Sequence, residues 1–184
     1  MICVAFICIS SFLLSQVQWN TPKIIFQSEN TEICDTYASE EGIFILYQLI
    51  NNNLDYDLFI QKADHNGNLT DNQPIPLYNN INQQMDGQFA LCSDETILVV
   101  WKEINNSGQV SLFSQKLTLS GLFEWSDKTL VTQDLNIKSF RLNPDQMGGA
   151  YISWEKETDE QRISVFYNQT DANGNLIHGN QGIQ

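Results

Sequence analysis

The sequence predicts an all-β fold built from three similar units. The first observation is a repeat, because the glycines Gly67, Gly121 and Gly174 lie 54 and 53 residues apart. The second is that short runs of β-branched and aromatic residues return at the same spacing, with no convincing 3.6-residue period after residue 18. A fixed period of this size is typical of repeat proteins, in which each unit packs on its neighbours.

Two further landmarks keep the register of the repeat. An aromatic residue ends an apolar run at Tyr47, Trp101 and Trp154, again 54 and 53 residues apart. We expect these three side chains to pack in the core of their units, although an aromatic ring can also stack on a sugar. A polar amide recurs at the same intervals in the strand that follows, at Gln61, Gln115 and Asn168.

Each unit is expected to contain four short antiparallel strands. The central strands are nearly continuous apolar runs, which indicates burial on both faces, at residues 43–49, 97–101 and 150–154. The next strands alternate in polarity, which indicates one covered face, at residues 58–61, 110–114 and 163–167. Two shorter strands precede each central run. They are at residues 24–26 and 33–34, 75–77 and 89–91, and 129–131 and 140–142.

The repeated glycine closes each unit in a tight turn. Asn and Gly accept positive φ at little cost, so this step suits a hairpin or a tight turn. Alternating oxygen ligands also open calcium loops, but here glycine stands at the fourth position and no Glu stands at the twelfth. We therefore predict structural turns, with no metal and no cofactor. The turn residues are Asp64, Asn66, Gly67, Gly121, Asp171, Asn173 and Gly174.

The chain divides into a leader and repeats. Residues 1–14 are uncharged and mostly apolar; a stretch this short suits a secretory signal peptide rather than a spanning helix, which needs about 20 residues. A buried strand or an uncleaved anchor is the alternative. We predict secretion or a place at the cell surface. The predicted segments are 1–18 (signal peptide), 19–72, 73–126 and 127–180 (three repeats) and 181–184 (start of a fourth).

Charge and cysteine content limit the partners and the compartment. The net charge of −13, with nine Lys and Arg, disfavours nucleic acid and anionic membrane surfaces. Without the leader, Cys34 and Cys92 remain; we expect two buried free thiols, and a disulfide stays open. The sequons at Asn68 and Asn105 fall in predicted loops and are the candidate glycosylation sites, whereas the sequon at Asn168 falls in a predicted strand.

The third unit carries a family resemblance. Its Asp145-Gln146-Met147-Gly148-Gly149-Ala150 step, the run to Trp154 and the Asp171-Ala172-Asn173-Gly174 turn resemble the repeat of secreted and cell-surface β-propeller proteins, sialidase-like or similar. The resemblance implies a partial or open β-propeller, since propellers typically close with four to eight blades. A piece of a longer protein, an assembly with other chains and an open arc are all compatible with three blades.

No catalytic motif stands out. The chain has no Gly-x-Ser-x-Gly step, no phosphate loop and no strict sialidase-type Asp box, and its 22 carboxylates are too many to select a pair. We therefore predict a non-enzymatic module that binds a protein or glycan or acts as a scaffold, with other propeller chains or a second copy as further partners. The alternatives are a truncated propeller glycoside hydrolase and a fragment without independent function. Acidic, Arg or Tyr side chains converging near the axis would favour the enzyme.

Overall fold

The computed structural model describes residues 30–40, 42–50, 55–70, 73–78, 81–158 and 162–184. All regular structure in these residues is β, and none of them forms a helix that could cross a membrane. Their strands form three separate antiparallel sheets. The predicted all-β fold of blade-like repeats is therefore confirmed. The predicted leader and the strand at 24–26 lie outside the described residues.

The three sheets follow one another along the chain. Sheet 1 contains, in spatial order, β1 (Thr31–Ser39), β2 (Gly42–Ile50), β3 (Tyr56–Ala63) and β4 (Ile75–Pro76). Sheet 2 contains β5 (Gln83–Leu91), β6 (Thr96–Ile104), β7 (Val110–Thr118) and β8 (Thr129–Asp134). Sheet 3 contains β9 (Ile137–Pro144), β10 (Ala150–Glu157) and β11 (Ile163–Thr170). Each sheet is thus a meander in which sequence neighbours pair.

The outer strand of each sheet comes from the start of the next sequence unit. β4 pairs with β3, and β8 pairs with β7. In sheet 3 the same place is taken by Ile183, which forms an isolated bridge to Tyr167. The boundaries of the sheets therefore differ from those of the predicted repeats, because the first strand of a repeat belongs to the preceding sheet. The repeat spacing alone does not reveal which strands pair.

Sheet 2 is packed between the other two sheets. Its central strand β6 is buried along nearly its whole length, because alternate side chains enter different cores. Ile97, Val99 and Trp101 pack with sheet 1. Leu98 and Val100 pack with sheet 3. The continuous apolar run that predicted burial on both faces thus reflects two separate interfaces.

Two lysines also join neighbouring sheets. The Lys62 Nζ donates a hydrogen bond to the backbone oxygen of Leu119 at 3.1 Å. At the equivalent position, the Lys116 Nζ donates to the backbone oxygens of Gly148 at 2.7 Å and Ala172 at 3.3 Å. Each amine therefore reaches from the third strand of one sheet to loops of the next. These contacts fix the sheets side by side, with β1, β5 and β9 innermost.

Candidate active site at the sheet axis

The inner strands of the three sheets enclose an open cleft of about 290 Å³. Polar and charged side chains make up most of its wall, in contrast to the apolar cores on either side. Both acids and bases are present. Its lining residues are Glu32, Ile33, Cys34, Gln48, Asp86, Gly87, Gln88, Lys102, Lys138, Ser139, Phe140 and Arg141.

Each sheet carries one hydrogen-bonded polar pair at its inner strand, although in sheet 3 only Ser139 of the pair lines the cleft. The two partners of a pair lie 16 residues apart in all three sheets. The pairs are Gln48 donating to Glu32 at 2.8 Å, Lys102 donating to Asp86 at 2.7 Å and Ser139 donating to Glu155 at 2.8 Å. Their positions recur at the 54- and 53-residue spacing of the repeat. Fold symmetry therefore places the pairs at equivalent sites with different chemistry.

β-Bulges aim these side chains. The ladder of each inner strand shifts register near its pair, at Ile33/Asp35 in β1 and Met85/Gln88 in β5, and opposite Glu155 in β9. A bulge bends a strand and re-aims its side chains, and bulges are frequent beside active sites. In β5 the bulge holds Asp86 at a φ of 56°, a left-handed conformation that Asp tolerates better than most residues.

Gly87 packs closely against sheet 1. A Cβ built on Gly87 would lie 2.4 Å from the Cδ2 of Leu46, so β5 approaches sheet 1 more closely than a side chain would allow. The bulge therefore sits directly against the core of sheet 1. This contact fixes the place of the neighbouring carboxylate of Asp86.

Two of the pairs also link the sheets. The Gln48 Oε1 accepts a hydrogen bond from the backbone N–H of Asp86 at 3.4 Å, so one amide contacts both acidic residues. The Lys102 Nζ donates to the backbone oxygen of Lys138 in sheet 3 at 2.7 Å. The Lys102 side chain is 10% exposed and that of Asp86 is 53% exposed. The carboxylate of Asp86 is thus open to the cleft, whereas the Lys102 side chain that binds it is largely buried.

Cys34 contributes a thiol to the cleft wall but not a reactive one. Burial, the largest effect, together with the nearby charge of Asp86 raises the pKa of Cys34 to about 11. Burial also raises the pKa of Cys92. Both cysteines are free thiols. Cys92 is buried as expected, whereas Cys34 is half-buried because it lines the cleft.

The predicted turn residues lie away from the cleft. Gly67, Gly121 and Gly174 have φ values of 74°, 84° and 85°. The Asp171 Oδ1 accepts the backbone N–H groups of Asn173 at 2.9 Å and Asn175 at 2.8 Å. Asp64 makes the same bonds to Asn66 and Asn68, both at 2.8 Å. Within the described part of the chain, no three His, Cys, Asp or Glu side chains are grouped as metal ligands.

The turn glycines mark contacts between sheets. A Cβ on Gly121 would lie 2.7 Å from the Cδ1 of Ile75 in sheet 1. A Cβ on Gly174 would lie 3.0 Å from the Trp125 ring and from the Thr129 Oγ1 of sheet 2. Gly121 and Gly174 thus serve a left-handed turn and a close packing contact together.

The repeated aromatic residues lie in the cores rather than at the axis. Tyr47, Trp101 and Trp154 are 6%, 0% and 3% exposed. Each faces an aromatic residue across the sheet, as in the stack of Tyr47 on Phe59 at 5.7 Å and of Trp154 on Phe166 at 5.9 Å between ring centroids. Rings in these positions have no free face for a sugar.

The three sequons have different surroundings. Asn68 is exposed, and its side-chain amide donates to the Asp64 Oδ2 at 3.0 Å. Asn105 is half-buried, and its amide donates to the Gln109 Oε1 at 3.3 Å. Asn168 is fully buried and donates to the backbone oxygen of Gly179 at 2.5 Å. Of the three, Asn68 lies most open to a modifying enzyme.

Sequence reasoning missed the axial pairs. Glu32 and Asp86 each stand 15 residues before the landmark aromatic of their unit, and Gln48 and Lys102 each stand one residue after it. That shared spacing was a usable signal among the many carboxylates. It points to the axis only once the inner strands are known.

The three adjacent sheets and their polar axis define a propeller-like architecture. The structure is similar to a thermostable family-43 glycoside hydrolase, with a TM-score of 0.54 and 13% identity, covering 79% of this chain and 53% of that one. It is also similar to an endo-arabinase from Bacteroides thetaiotaomicron, with a TM-score of 0.52 and 14% identity, covering 77% of this chain and 56% of that one. No protein-family model and no curated protein sequence matches.

These similarities confirm the fold and correct one expectation. Both proteins belong to five-bladed β-propellers, which supports the propeller architecture without supporting a sialidase-like type. The chain spans about half the length of each of them. Because both are glycoside hydrolases, the prediction of a non-enzymatic chain is contradicted. The acidic groups at the axis come together only in the folded chain, so the sequence alone did not single them out.

Proposed function

We propose that this chain is part of a β-propeller glycoside hydrolase and that the axial cleft binds its glycan. The observation that carries the proposal is the pair Glu32 and Asp86, which reach one cleft from equivalent positions of two sheets. Glycoside hydrolysis needs two carboxyl groups on either side of the scissile bond, one to give a proton and one to act as base or nucleophile. The cleft supplies both.

Their partners distinguish the two carboxyl groups. Asp86 is bound by the ammonium of Lys102, which suits the group that must remain negatively charged. Glu32 accepts a hydrogen bond from the neutral amide of Gln48, which stabilises a negative charge less than the ammonium beside Asp86 does. We assign Glu32 as the acid and Asp86 as the base or nucleophile. Gln48 holds the two in register, since it contacts both residues.

The cleft wall suits a polar polymer. Lys138, Ser139 and Arg141 add donors beside the carboxylates, and sugar hydroxyls require such donors and acceptors. The endo-arabinase similarity makes arabinan the first substrate to test. A hydrolase of such polymers meets its substrate outside the cell, which agrees with the proposed leader over residues 1–18 and with secretion or a place at the cell surface.

The test is hydrolysis by the full chain. Arabinan and xylan are incubated with the chain, and released reducing ends are measured. Substitutions E32Q and D86N should each lower the rate about 100-fold or more, as expected for loss of an acid or base. E124Q is the matched control, because Glu124 is an exposed carboxylate outside the cleft wall, and its rate should equal that of the unsubstituted chain.

Two results would contradict the proposal. One is glycan binding with no release of reducing ends by the unsubstituted chain, which would define a binding module. The other is turnover that survives both E32Q and D86N, which would place the chemistry elsewhere.

A further inference from the structure

One face of sheet 3 exposes large apolar side chains. Tyr151, on β10, is 44% exposed. On β11, Ile163, Val165 and Tyr167 are 54%, 59% and 40% exposed. All four share a face, because Tyr167 pairs with Ser153 and Val165 with Glu155, in alternation with the buried residues of β10. We call this surface the sheet-3 face.

The equivalent positions in the other two sheets are buried. In sheet 1, Phe44, Leu46 and Leu58 are at most 2% exposed, because sheet 2 covers them. In sheet 2, Leu98, Val100 and Leu112 are fully buried under sheet 3. The repeat thus uses this face twice as an interface and leaves it open in the described part of sheet 3. An exposed patch of this kind marks an interaction surface.

A polar residue at the same level supports an interface. Gln48 and Lys102 each bond to the backbone of the following sheet, at Asp86 and Lys138. Glu155 occupies the equivalent position in sheet 3 and is exposed. Sheet 2 thus meets the amide of Gln48, and sheet 3 meets the ammonium of Lys102. A partner on the sheet-3 face would instead meet the carboxylate of Glu155.

We propose that the sheet-3 face binds the sheet-3 face of a second copy of this chain, about a two-fold axis. Arg141 is exposed on this face beside Ser153, and Glu155 lies on the neighbouring strand. A two-fold axis between them sets the guanidinium of Arg141 against Glu155 of the second copy, and the reverse contact follows from the symmetry. Two ion pairs then flank an apolar centre formed by Val165 and the tyrosines.

Head-to-tail stacking fits less well. It would set the sheet-3 face on the opposite side of sheet 1, where Ile45 and Tyr47 are located. Both are only 6% exposed, so that side is already covered. A face-to-face pair uses only the open surface, and it closes after two copies rather than extending into a filament.

Charge favours this contact over others on the same chain. The net charge of −13 makes most surfaces repel their own copies. The sheet-3 face sets one exposed carboxylate, Glu155, against the guanidinium of Arg141, and Glu157 is paired with Lys138. Opposite charges on one patch are what a self-complementary interface needs.

The first experiment measures the mass of the full chain by light scattering over a range of concentrations. We expect twice the mass of one chain. The substitution V165D places a charge at the apolar centre and should weaken dimerisation at least about tenfold. L122D is the matched control: Leu122 is 68% exposed but lies outside this face, so the dimer should persist. Circular dichroism checks that both variants are folded.

A charge exchange tests the two-fold arrangement itself. R141E and E155R alone should each weaken the dimer, because each sets like charges against each other twice. An equimolar mixture of R141E and E155R restores both ion pairs and should form the mixed dimer about tenfold more tightly than either variant alone. A chain that stays monomeric, or a dimer that none of these substitutions weakens, would overturn the proposal. So would assembly only with a blade of another protein.

Discussion

At the scale of single residues, the axis shows how one backbone position can carry different chemistry. Glu32, Asp86 and Ser139 are equivalent in the repeat, and each bonds to the residue 16 positions later. In sheet 3 the direction of the bond is reversed, since Ser139 donates to Glu155. All three sheets thus contain a hydrogen-bonded pair at this position, but the charges of the paired residues differ. The repeated sheets therefore form a site that is not itself symmetric.

Acid should destabilise the chain through carboxylates that act as hydrogen-bond acceptors. Desolvation is the largest single effect and raises the pKa of Asp94 and Asp171. The hydrogen bonds that these carboxylates accept, from Lys116 and Asn175 among others, together lower it by more, so both pKa values lie below the ordinary value. A carboxylate with a lowered pKa in the folded chain stabilises the fold at pH values above its unfolded pKa of about 4. This stabilisation is lost as the pH falls through the folded pKa. Urea unfolding should therefore have a lower midpoint at about pH 3 than at pH 6.

The matched variant for this prediction is D171N. It keeps an acceptor oxygen for the turn amides and removes the titrating group, so its midpoint should depend less on pH. An unchanged midpoint of the parent chain between the two pH values would show that these bonds contribute nothing to stability.

Loss of a buried ion pair should cost more unfolding free energy than loss of an exposed one. Lys128 contacts Glu103, whose side chain is 2% exposed, and the Lys128 Nζ lies 3.9 Å from the ring centroids of Tyr78 and Phe113. K128M leaves a buried carboxylate without its cation and should cost about 3–5 kcal/mol of unfolding free energy. K138M breaks the exposed pair with Glu157 and should cost about 1 kcal/mol or less. Equal costs in denaturant titrations would contradict this assignment.

At the scale of strands and turns, tight turns and bulges do the positioning. The turns that carry Gly121 and Gly174 close one hairpin and also contact the preceding sheet. The bulges of the inner strands direct Glu32 and Asp86 to the axis. An ideal strand would alternate strictly and could not present these groups beside the core.

Glycine substitutions separate backbone strain from packing at a turn. Gly108 and Gly174 have similar φ values of 78° and 85°, but a Cβ on Gly108 meets nothing within 4 Å. G108A should therefore cost about 1 kcal/mol, the left-handed strain alone. G174A adds contact with Trp125 and should cost about 1–2 kcal/mol more. Thermal and urea unfolding measure both; similar losses would mean that this turn does not join the sheets.

Elements with a local signal were predictable and pairings were not. The runs ending at Tyr47, Trp101 and Trp154 predicted central strands, because burial on both faces leaves an apolar pattern in the sequence itself. β4 has two residues, and the pattern at 75–77 does not show that it pairs with β3. Pairing across a loop is decided by packing, which leaves little trace in local sequence.

At the scale of the whole molecule, sheet 2 makes the three sheets interdependent. Val99 belongs to the core shared with sheet 1, and its neighbour Val100 belongs to the core shared with sheet 3. In the described residues, each outer sheet shares a hydrophobic core with sheet 2. The described residues should therefore behave as one cooperative unit rather than three.

A pair of core substitutions tests this cooperativity. L46A at the interface of sheets 1 and 2 and I152A at the interface of sheets 2 and 3 should each cost about 2–5 kcal/mol and shift the same unfolding transition. Fluorescence and circular dichroism should follow one curve in each case. Two separate transitions would contradict the shared core, and no transition at all would favour a fragment that cannot fold alone.

The axial site was beyond local prediction for a different reason. Glu32 and Asp86 are single acids among 22 carboxylates, and neither lies in a motif. What distinguishes them is that three inner strands meet at one axis, a property of the assembled sheets. The turn at Asp171 shows the converse: its spacing suggested ligand chemistry, whereas both carboxylate oxygens are used by its own loop.

The most direct test is a crystal structure of the full chain carrying E32Q, soaked with an arabino-oligosaccharide. The account predicts a sugar in the axial cleft, with its glycosidic oxygen within hydrogen-bond reach of position 32 and its anomeric carbon facing Asp86. A sugar bound at another surface while the cleft stays empty would contradict it, as would no bound sugar at concentrations that saturate binding in solution.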